Sequence, residues 1–151
     1  MKEKCFALTA ETLVDRAFEL KYFGGTYGGN RRPTKFLCLL LKMLQIQPEE
    51  SIIKEFINNK EYKYIRVLGA FYWRLVARNA KDVYQMLEPL YSDYRRLAYR
   101  NESGEYEIMH MDEFIDKLLR EENFCEVTLP RIVKREVLEN EGMLKPYVSM
   151  L

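Results

Sequence analysis

One segment, TKFLCLLLKMLQI at residues 34–46, is apolar around almost its whole helical circumference. A helix with no polar face must be covered on every side by other elements of the fold. Other stretches repeat apolar residues at every third or fourth position, which is typical of amphipathic helices. They span residues 13–20, 52–57, 62–78, 79–87, 112–119 and 128–141. The pattern predicts a mostly α-helical fold, a single compact multi-helix domain over residues 1–151.

Particular residues predict where these helices begin and how closely two of them approach. Pro33 suits the first turn of the helix that follows it, where its missing N–H costs nothing. Asn79 is expected to cap a short helix, and Thr128 and Pro130 are expected to open the last one. Gly69 lies inside the segment at 62–78, which predicts a close helix–helix contact at that glycine.

The run LAYRNESGEYEIMH at residues 97–110 has a different character. Tyr106, Ile108 and His110 alternate with other side chains, which is the period of a β-strand. The NESG sequence supplies turn residues ahead of them. The spacing predicts one small β-hairpin near residues 97–110.

Composition and charge exclude several classes of function. Lysine and arginine number 24 against 23 acidic residues, so no overall field draws the chain to nucleic acid. Cys5, Cys38 and Cys125 form no CxxC pair and the chain has one histidine, so no metal or other cofactor is expected. Reduced, buried thiols of a cytosolic or nuclear protein are expected instead. The N-terminus lacks a secretory-signal pattern, and the longest apolar run, Phe36 to Leu41, is too short to span a bilayer.

Four of the seven glycines fall in the stretch YFGGTYGGNRRPT at residues 22–34. Gly24 and Gly29 have the spacing of P-loop glycines, but Asn30 and Arg31 stand where that motif needs lysine and a hydroxyl residue. The favoured interpretation is a loop that bends the chain between two helices. Arg31 and Arg32 are candidates for contact with a phosphate or an acidic partner.

His110 is the single histidine, and Asp112 and Glu113 follow it. A histidine–carboxylate pair can perform general acid–base chemistry. No serine or cysteine stands in a recognisable nucleophile context, so a structural histidine, or one at a helix start, is favoured. No catalytic residue is predicted.

Aromatic residues make up 13 % of the chain, with eleven tyrosines among them. Tyrosine combines apolar area with a hydroxyl group that tolerates water, which suits protein interfaces. Most rings are expected in the core. The run YSDYRRLAYR at residues 91–100 favours a protein partner, with stacking on single-stranded RNA bases as the alternative.

Several stretches strongly resemble the pre-mRNA-splicing factor 38 family. They are CFALTAETLVDRAFELKYFGGTYGGNRRPTKFLCLLLKMLQIQPE, YKYIRVLGAFYWRL, LEPLYSDYR, GEYEIMHMDEFIDKLL and LPRIVKR. The resemblance is co-linear and runs from Cys5 to about Leu138.

The resemblance implies a mostly α-helical scaffold with a small β-hairpin and no catalytic activity. Family members are nuclear spliceosome components, associated with snRNP particles (the tri-snRNP) and the pre-catalytic spliceosome, and are needed for its activation. They dock other splicing proteins, including a zinc-finger splicing protein and a microfibrillar-associated-protein-type helical partner. Members usually carry further helical residues before the CFALTAE position and many carry an Arg/Ser-rich tail, so partners of those segments lie outside this expectation.

The leading hypothesis is therefore a non-enzymatic spliceosomal scaffold. The side chains expected to contact partners are aromatic or charged: Tyr91, Tyr94, Arg95, Arg96, Tyr99, Glu105, Tyr106 and Glu107. The two glutamates among them are expected to pair with a basic partner helix. The alternative is an RNA-binding protein that contacts snRNA or pre-mRNA phosphates through Arg31, Arg32, Arg95, Arg96 and Arg100. An enzyme built around His110 is the third hypothesis.

Overall fold

The computed structural model describes residues 10–132, 135–140 and 142 of the chain. Within this part of the chain, seven α-helices dominate and 54 % of the structure is helical, which confirms the predicted class. The helices are α1 (Ala10–Phe18), α2 (Lys35–Ile46), α3 (Glu50–Ile57), α4 (Lys63–Val76), α5 (Ala80–Leu87), α6 (Met111–Arg120) and α7 (Arg135–Asn140). A 3-10 helix at Glu88–Ser92 follows α5. None of the described helices is both long and apolar enough to cross a membrane.

Three two-stranded antiparallel sheets complete the described structure. The largest pairs β3 (Arg96–Arg100) with β4 (Tyr106–His110), which confirms the predicted hairpin. Two smaller hairpins were not predicted, because strands of two residues are too short to show a period. They pair β1 (Thr26–Tyr27) with β2 (Arg32–Pro33) and β5 (Asn123–Phe124) with β6 (Val127–Thr128).

Helix α4 lies at the centre of the core. It packs against α1, α2, α3, α5 and α6, and every residue from Ile65 to Arg74 is buried. Helix α2 is also largely buried, as predicted, but Leu41 is 49 % exposed. The all-round apolar sequence of α2 therefore indicated a core helix without showing that α4 is the more fully enclosed.

Two buried arginines explain how α4 can be central while carrying charges. The Nε–H group of Arg66 donates to the carbonyl of Ile57 at 2.8 Å, and that of Arg74 donates to Leu118 at 2.7 Å. Both carbonyls lie in the last turn of a neighbouring helix, where backbone acceptors lack intrahelical partners and the helix dipole favours a cation. Burial lowers the pKa of Arg74 from its ordinary value.

The contact predicted at Gly69 is confirmed. A Cβ atom added there would lie 2.6 Å from the Cβ of Phe56 and 3.1 Å from the backbone nitrogen of Ile57. Only glycine lets α3 and α4 approach so closely. The predicted cap is also confirmed, since the side chain of Asn79 accepts from Asp82 N–H at 2.9 Å.

Two predicted helix starts are wrong. Pro33 lies in β2, opposite Thr26, and Thr34 instead caps α2 by accepting from Leu37 N–H at 3.1 Å. Thr128 belongs to β6, and Pro130 does not lie in a helix; the described part of α7 runs over Arg135–Asn140. Hairpin pairing includes Pro33 and Thr128, which local propensity had assigned to helix starts. Residues 133–134 lie outside the described part of the chain.

Candidate protein-interaction surfaces

The β3–β4 hairpin is held to the core along the outer edge of β3. Phe23 N–H donates to the carbonyl of Ala98 at 3.0 Å, and Arg100 N–H donates to the carbonyl of Phe23 at 2.9 Å. On the inner face Leu97 is buried, and the Tyr99 ring lies 5.1 Å from that of Phe23. This attachment turns the alternate residues of the hairpin outwards.

The outer face of the hairpin carries large exposed side chains. Tyr106 is 58 % exposed and Ile108 is 68 % exposed. They lie opposite Arg100 and Ala98 respectively. Because most large apolar side chains of the described chain are buried, this face is a candidate contact surface.

Three tyrosines surround the guanidinium of Arg100. Its central carbon lies 3.7 Å from the ring centroid of Tyr27, 5.3 Å from that of Tyr106 and 5.8 Å from that of Tyr22. The Nε–H group also donates to the Gly104 carbonyl at 3.2 Å. We call Tyr22, Tyr27, Arg100 and Tyr106 the Arg100 cluster. Within the described residues no carboxylate is paired with Arg100, and cation–π contacts with these rings stabilise its charge.

A second surface forms where the start of β3 meets the start of α4. Arg95 donates to the Lys60 carbonyl at 2.7 Å, and the Lys63 ammonium donates to the Arg96 carbonyl at 2.5 Å. Tyr94 beside them is 48 % exposed. The exposed rings of Phe18 and Tyr62 meet edge to face at 4.7 Å. The α4-start surface comprises Phe18, Lys60, Tyr62, Lys63, Tyr94, Arg95 and Arg96.

The fold thus separates the predicted partner residues into groups of different accessibility. Tyr94 and Arg96 are exposed on the α4-start surface, where Arg95 is half-buried, while Glu105, Tyr106 and Glu107 are exposed on β4 and the turn before it. Tyr91 is half-buried and its hydroxyl donates to Asp116 at 3.3 Å. Tyr99 is half-buried against the aromatic core. A partner role for each of them stays a prediction.

Burial is the main cause that raises the pKa of Tyr99 to about 12, and the negative charge of the nearby Glu107 carboxylate adds to it. A free tyrosine ionises near pH 10. The neutral ring therefore stabilises the fold fully below about pH 10, and this stabilisation is lost as the pH rises through about 12. Burial also raises the pKa of Tyr64 and of Tyr72. In an ultraviolet titration we therefore expect Tyr99→Phe to lose one tyrosine from the group that ionises late. An unchanged number of late-ionising tyrosines in that variant would contradict the assignment.

The glycine-rich stretch forms the β1–β2 hairpin rather than a plain bend between helices. Thr26 N–H donates to the Glu126 carboxylate at 2.9 Å, and Arg31 donates to the same carboxylate at 3.1 Å. Arg31 adopts a φ of 49° at the turn. Glu126 therefore pairs with Arg31, whose side chain remains 78 % exposed, and Arg32 is also exposed on β2. Phosphate or acidic-partner contact by these two arginines stays a prediction.

His110 lies at the start of α6, as the structural interpretation predicted. Its backbone N–H donates to the Glu113 carboxylate at 3.2 Å, and its Nδ1 lies 2.8 Å from the same oxygen. This hydrogen bond is the main cause that lowers the pKa of Glu113. The pair caps the N-terminus of the helix, which is a structural role. Among the described residues, no group of acidic, cysteine and histidine side chains has the arrangement of a metal site.

Sequence reasoning missed the residues that the fold brings to these surfaces from elsewhere. Tyr22 and Tyr27 flank the glycine pairs, and Phe18 and Tyr62 lie at helix ends. Ile108 was assigned only to a strand. Phe18 belongs to the predicted apolar stripe at residues 13–20, so helical periodicity gave no signal of its exposure. Exposure of these rings depends on contacts between distant segments.

Comparisons with known proteins agree on a single family. A sequence model of the PRP38 family matches residues 1–142. The chain belongs to the PRP38 family. It is 61 % identical over 150 residues to pre-mRNA-splicing factor 38A of Xenopus tropicalis, and 59 % identical to that of Homo sapiens. In both cases 99 % of this chain aligns with 48 % of the relative.

A PRP38-family relative from Drosophila melanogaster, pre-mRNA-splicing factor 38, is 59 % identical and is covered to 45 % of its length. The chain thus spans about half the length of these curated relatives. The fold also matches a chain of the crystal structure of the Snu23–Prp38–MFAP1(217-258) complex of Chaetomium thermophilum. That match has a TM-score of 0.91 and 39 % identity, and it covers 99 % of this chain and 77 % of the other.

Proposed function

We propose that this PRP38-family chain is a non-enzymatic scaffold that docks other splicing proteins in the nuclear spliceosome. Residues 1–151 act as one domain in this proposal. The partners are a zinc-finger splicing protein of the Snu23 kind and an MFAP1-type helical protein. The chain acts with the tri-snRNP in the pre-catalytic spliceosome and contributes to its activation.

The observation that carries the proposal is the fold match to a chain crystallised within the Snu23–Prp38–MFAP1(217-258) complex. At 39 % identity over 99 % of this chain, both the fold and much of the surface chemistry can be shared. A non-catalytic role is further supported by His110, whose ring nitrogen is engaged by Glu113 at a helix start.

Two exposed surfaces supply contacts of the kind that dominate protein interfaces. The α4-start surface combines exposed aromatic rings with basic side chains, which suits an amphipathic helix with acidic positions. The Arg100 cluster presents tyrosines around one arginine. Tyrosine and arginine are over-represented among residues whose truncation weakens binding most.

Replacing Tyr94 and Tyr106 together with alanine tests this proposal. We expect recovery of splicing proteins from nuclear extract to fall about tenfold or more, since loss of two interface tyrosines costs at least 1.4 kcal/mol. The variant Tyr94→Phe/Tyr106→Phe keeps both rings and serves as the matched control, with circular dichroism to verify folding. Unchanged recovery of every splicing protein by the alanine variant would remove the proposal.

Direct RNA binding is the alternative, and the geometry gives it less support. Arg31 is paired with Glu126, and Arg95 is paired with Asp93 at 2.9 Å, so both cations are partly neutralised within the fold. The alanine variant leaves every arginine intact. Association through RNA phosphates would therefore survive in that variant and disappear on ribonuclease treatment or at raised salt concentration.

A further inference from the structure

The hydrogen bonds of Ala98 show which way the backbone of the β3–β4 hairpin faces. Its N–H donates to the Tyr64 hydroxyl at 2.8 Å, and its carbonyl accepts from Phe23 N–H at 3.0 Å. Both groups therefore point away from β4. Ala98 lies opposite Ile108. In an antiparallel ladder such a pair exchanges no hydrogen bonds, so the N–H and carbonyl of Ile108 point to the outer edge of β4.

The two edges of this sheet differ in their cover. Phe23 and Tyr64 cover the edge of β3. Among the described residues, β4 pairs with no strand other than β3. The N–H of His110 is taken by Glu113, which leaves Ile108 as the centre of the uncovered edge. Proteins usually protect such an edge with proline, a bulge or inward charges.

The side chains along the edge of β4 include an exposed apolar residue on one face and two carboxylates on the other. Ile108 is 68 % exposed on the outer face, opposite the short side chain of Ala98. Glu107 projects from the opposite face, and Glu105 precedes the strand on that same side. Asn101 donates to the Glu107 carboxylate at 3.0 Å, which leaves its charge in place. Within the described residues no cation is paired with either glutamate.

We propose that β4 is a strand-addition site that takes an extended segment of a partner polypeptide. The segment places an aliphatic or aromatic side chain beside Ile108 and lysine or arginine at the alternate positions, beside Glu105 and Glu107. Its backbone bonds the N–H and carbonyl of Ile108. The inference rests on the proposed docking function and replaces the predicted basic helix at the two glutamates with a basic strand.

Amide hydrogen exchange of the whole chain tests the inference at one atom. The probe is a synthetic peptide of alternating valine and lysine, and a peptide of alternating valine and glutamate is its control. We expect the Ile108 amide to exchange rapidly in the free chain and at least about tenfold more slowly when the lysine peptide is saturating. The amides of Glu107 and Met109, which face β3, serve as internal references and stay protected in both states.

A pair of variants separates the backbone bond from the side-chain contact. Ile108→Pro replaces the side chain and, within the backbone, removes an outward N–H, a loss that an edge strand tolerates, so the hairpin is expected to fold. Peptide affinity should fall at least about tenfold in Ile108→Pro. Ile108→Thr keeps the N–H and the branched side chain, and its affinity should fall less than that of the proline variant. Circular dichroism verifies folding, and the exchange result on the unaltered chain does not depend on either variant.

Three outcomes would overturn the inference. The first is peptide binding without protection of Ile108, which would indicate docking on a face. The second is an Ile108 amide already protected in the isolated chain at every concentration. The third is protection that grows with protein concentration alone, which would indicate a second copy of this chain. The failure of this inference can be told apart from failure of the docking function. If the Tyr94 and Tyr106 variants lose splicing proteins while Ile108→Pro retains them and the exchange test fails, only the strand-addition site is contradicted. If recovery of splicing proteins is unchanged in all of these variants and the Ile108 amide is still protected by the peptide, only the docking function is contradicted.

Discussion

Gly25→Ala is expected to lower the free energy of unfolding by about 2–3 kcal/mol, the cost of forcing an extra methyl group into a closely packed site. The new Cβ would lie 2.4 Å from the carbonyl oxygen of Cys125 and 2.7 Å from its carbonyl carbon. These are backbone atoms and cannot rotate away. The β1–β2 hairpin would have to move off the segment at Cys125, so the stacking of Tyr27 on Arg100 should weaken as well.

Gly29→Ala is the matched control from the same loop. No heavy atom lies within 4 Å of its added Cβ, and its φ is not in the left-handed region. Both substitutions reduce the conformational freedom of the unfolded chain in the same way. The difference between them therefore isolates the contact with Cys125, and urea denaturation measures it. Equal unfolding free energies for the two variants would show that the loop moves freely and would contradict the packing seen at Gly25.

Asp93→Ala is expected to lower the free energy of unfolding by about 3–5 kcal/mol, because it leaves a buried cation without its partner. The Asp93 carboxylate accepts from Arg66 at 2.9 Å and from Arg95 at 2.9 Å, and the Asp93 and Arg66 side chains are 9 % and 10 % exposed. Arg66 also caps α3, and Arg95 belongs to the α4-start surface. The substitution should therefore weaken partner docking in addition to stability.

The pH dependence of the free energy of unfolding tests whether the negative charge of Asp93 is the cause of this stabilisation. Burial alone would raise the pKa of Asp93, but hydrogen bonds from Arg95 and Arg66 and the charge of Arg95 outweigh it, so the net pKa is lowered. The stabilisation is thus present above the unfolded pKa of about 3.9 and is lost as the pH falls through the lower folded value. The stability difference between the unaltered chain and Asp93→Ala should shrink as the pH falls below about 4.

Glu50→Ala is the control for removal of a carboxylate at an exposed site. Glu50 pairs with Lys54 at 3.4 Å, and the two side chains are 62 % and 50 % exposed. Exposed pairs of this kind contribute about 0.5 kcal/mol or less. If urea denaturation at neutral pH gave Asp93→Ala and Glu50→Ala the same small effect, the buried network around Arg66 would not be a stabilising feature.

Local patterns along the chain were enough to predict the class of the fold and many of its local details. Apolar periodicity located the helices, alternation located β3 and β4, and local chemistry identified the Asn79 cap, the tight contact at Gly69 and the helix-start position of His110. Apart from the contact at Gly69, which needs α3 to pack on α4, these features depend on residues close together in the chain. Helical and strand periods and capping hydrogen bonds are set by such short-range spacing.

Packing between remote segments sets which of these elements are enclosed and which side chains remain exposed, and no local pattern predicted it. Arg66 and Arg74 are buried only because the ends of neighbouring helices bring backbone carbonyls to them. Ile108 reads as an ordinary strand residue until Phe23 and Tyr64 take the other edge of its sheet. Burial and edge exposure depend on contacts between remote segments, whose closure no local periodicity encodes. The surfaces proposed to bind partners are for this reason a property of the assembled fold.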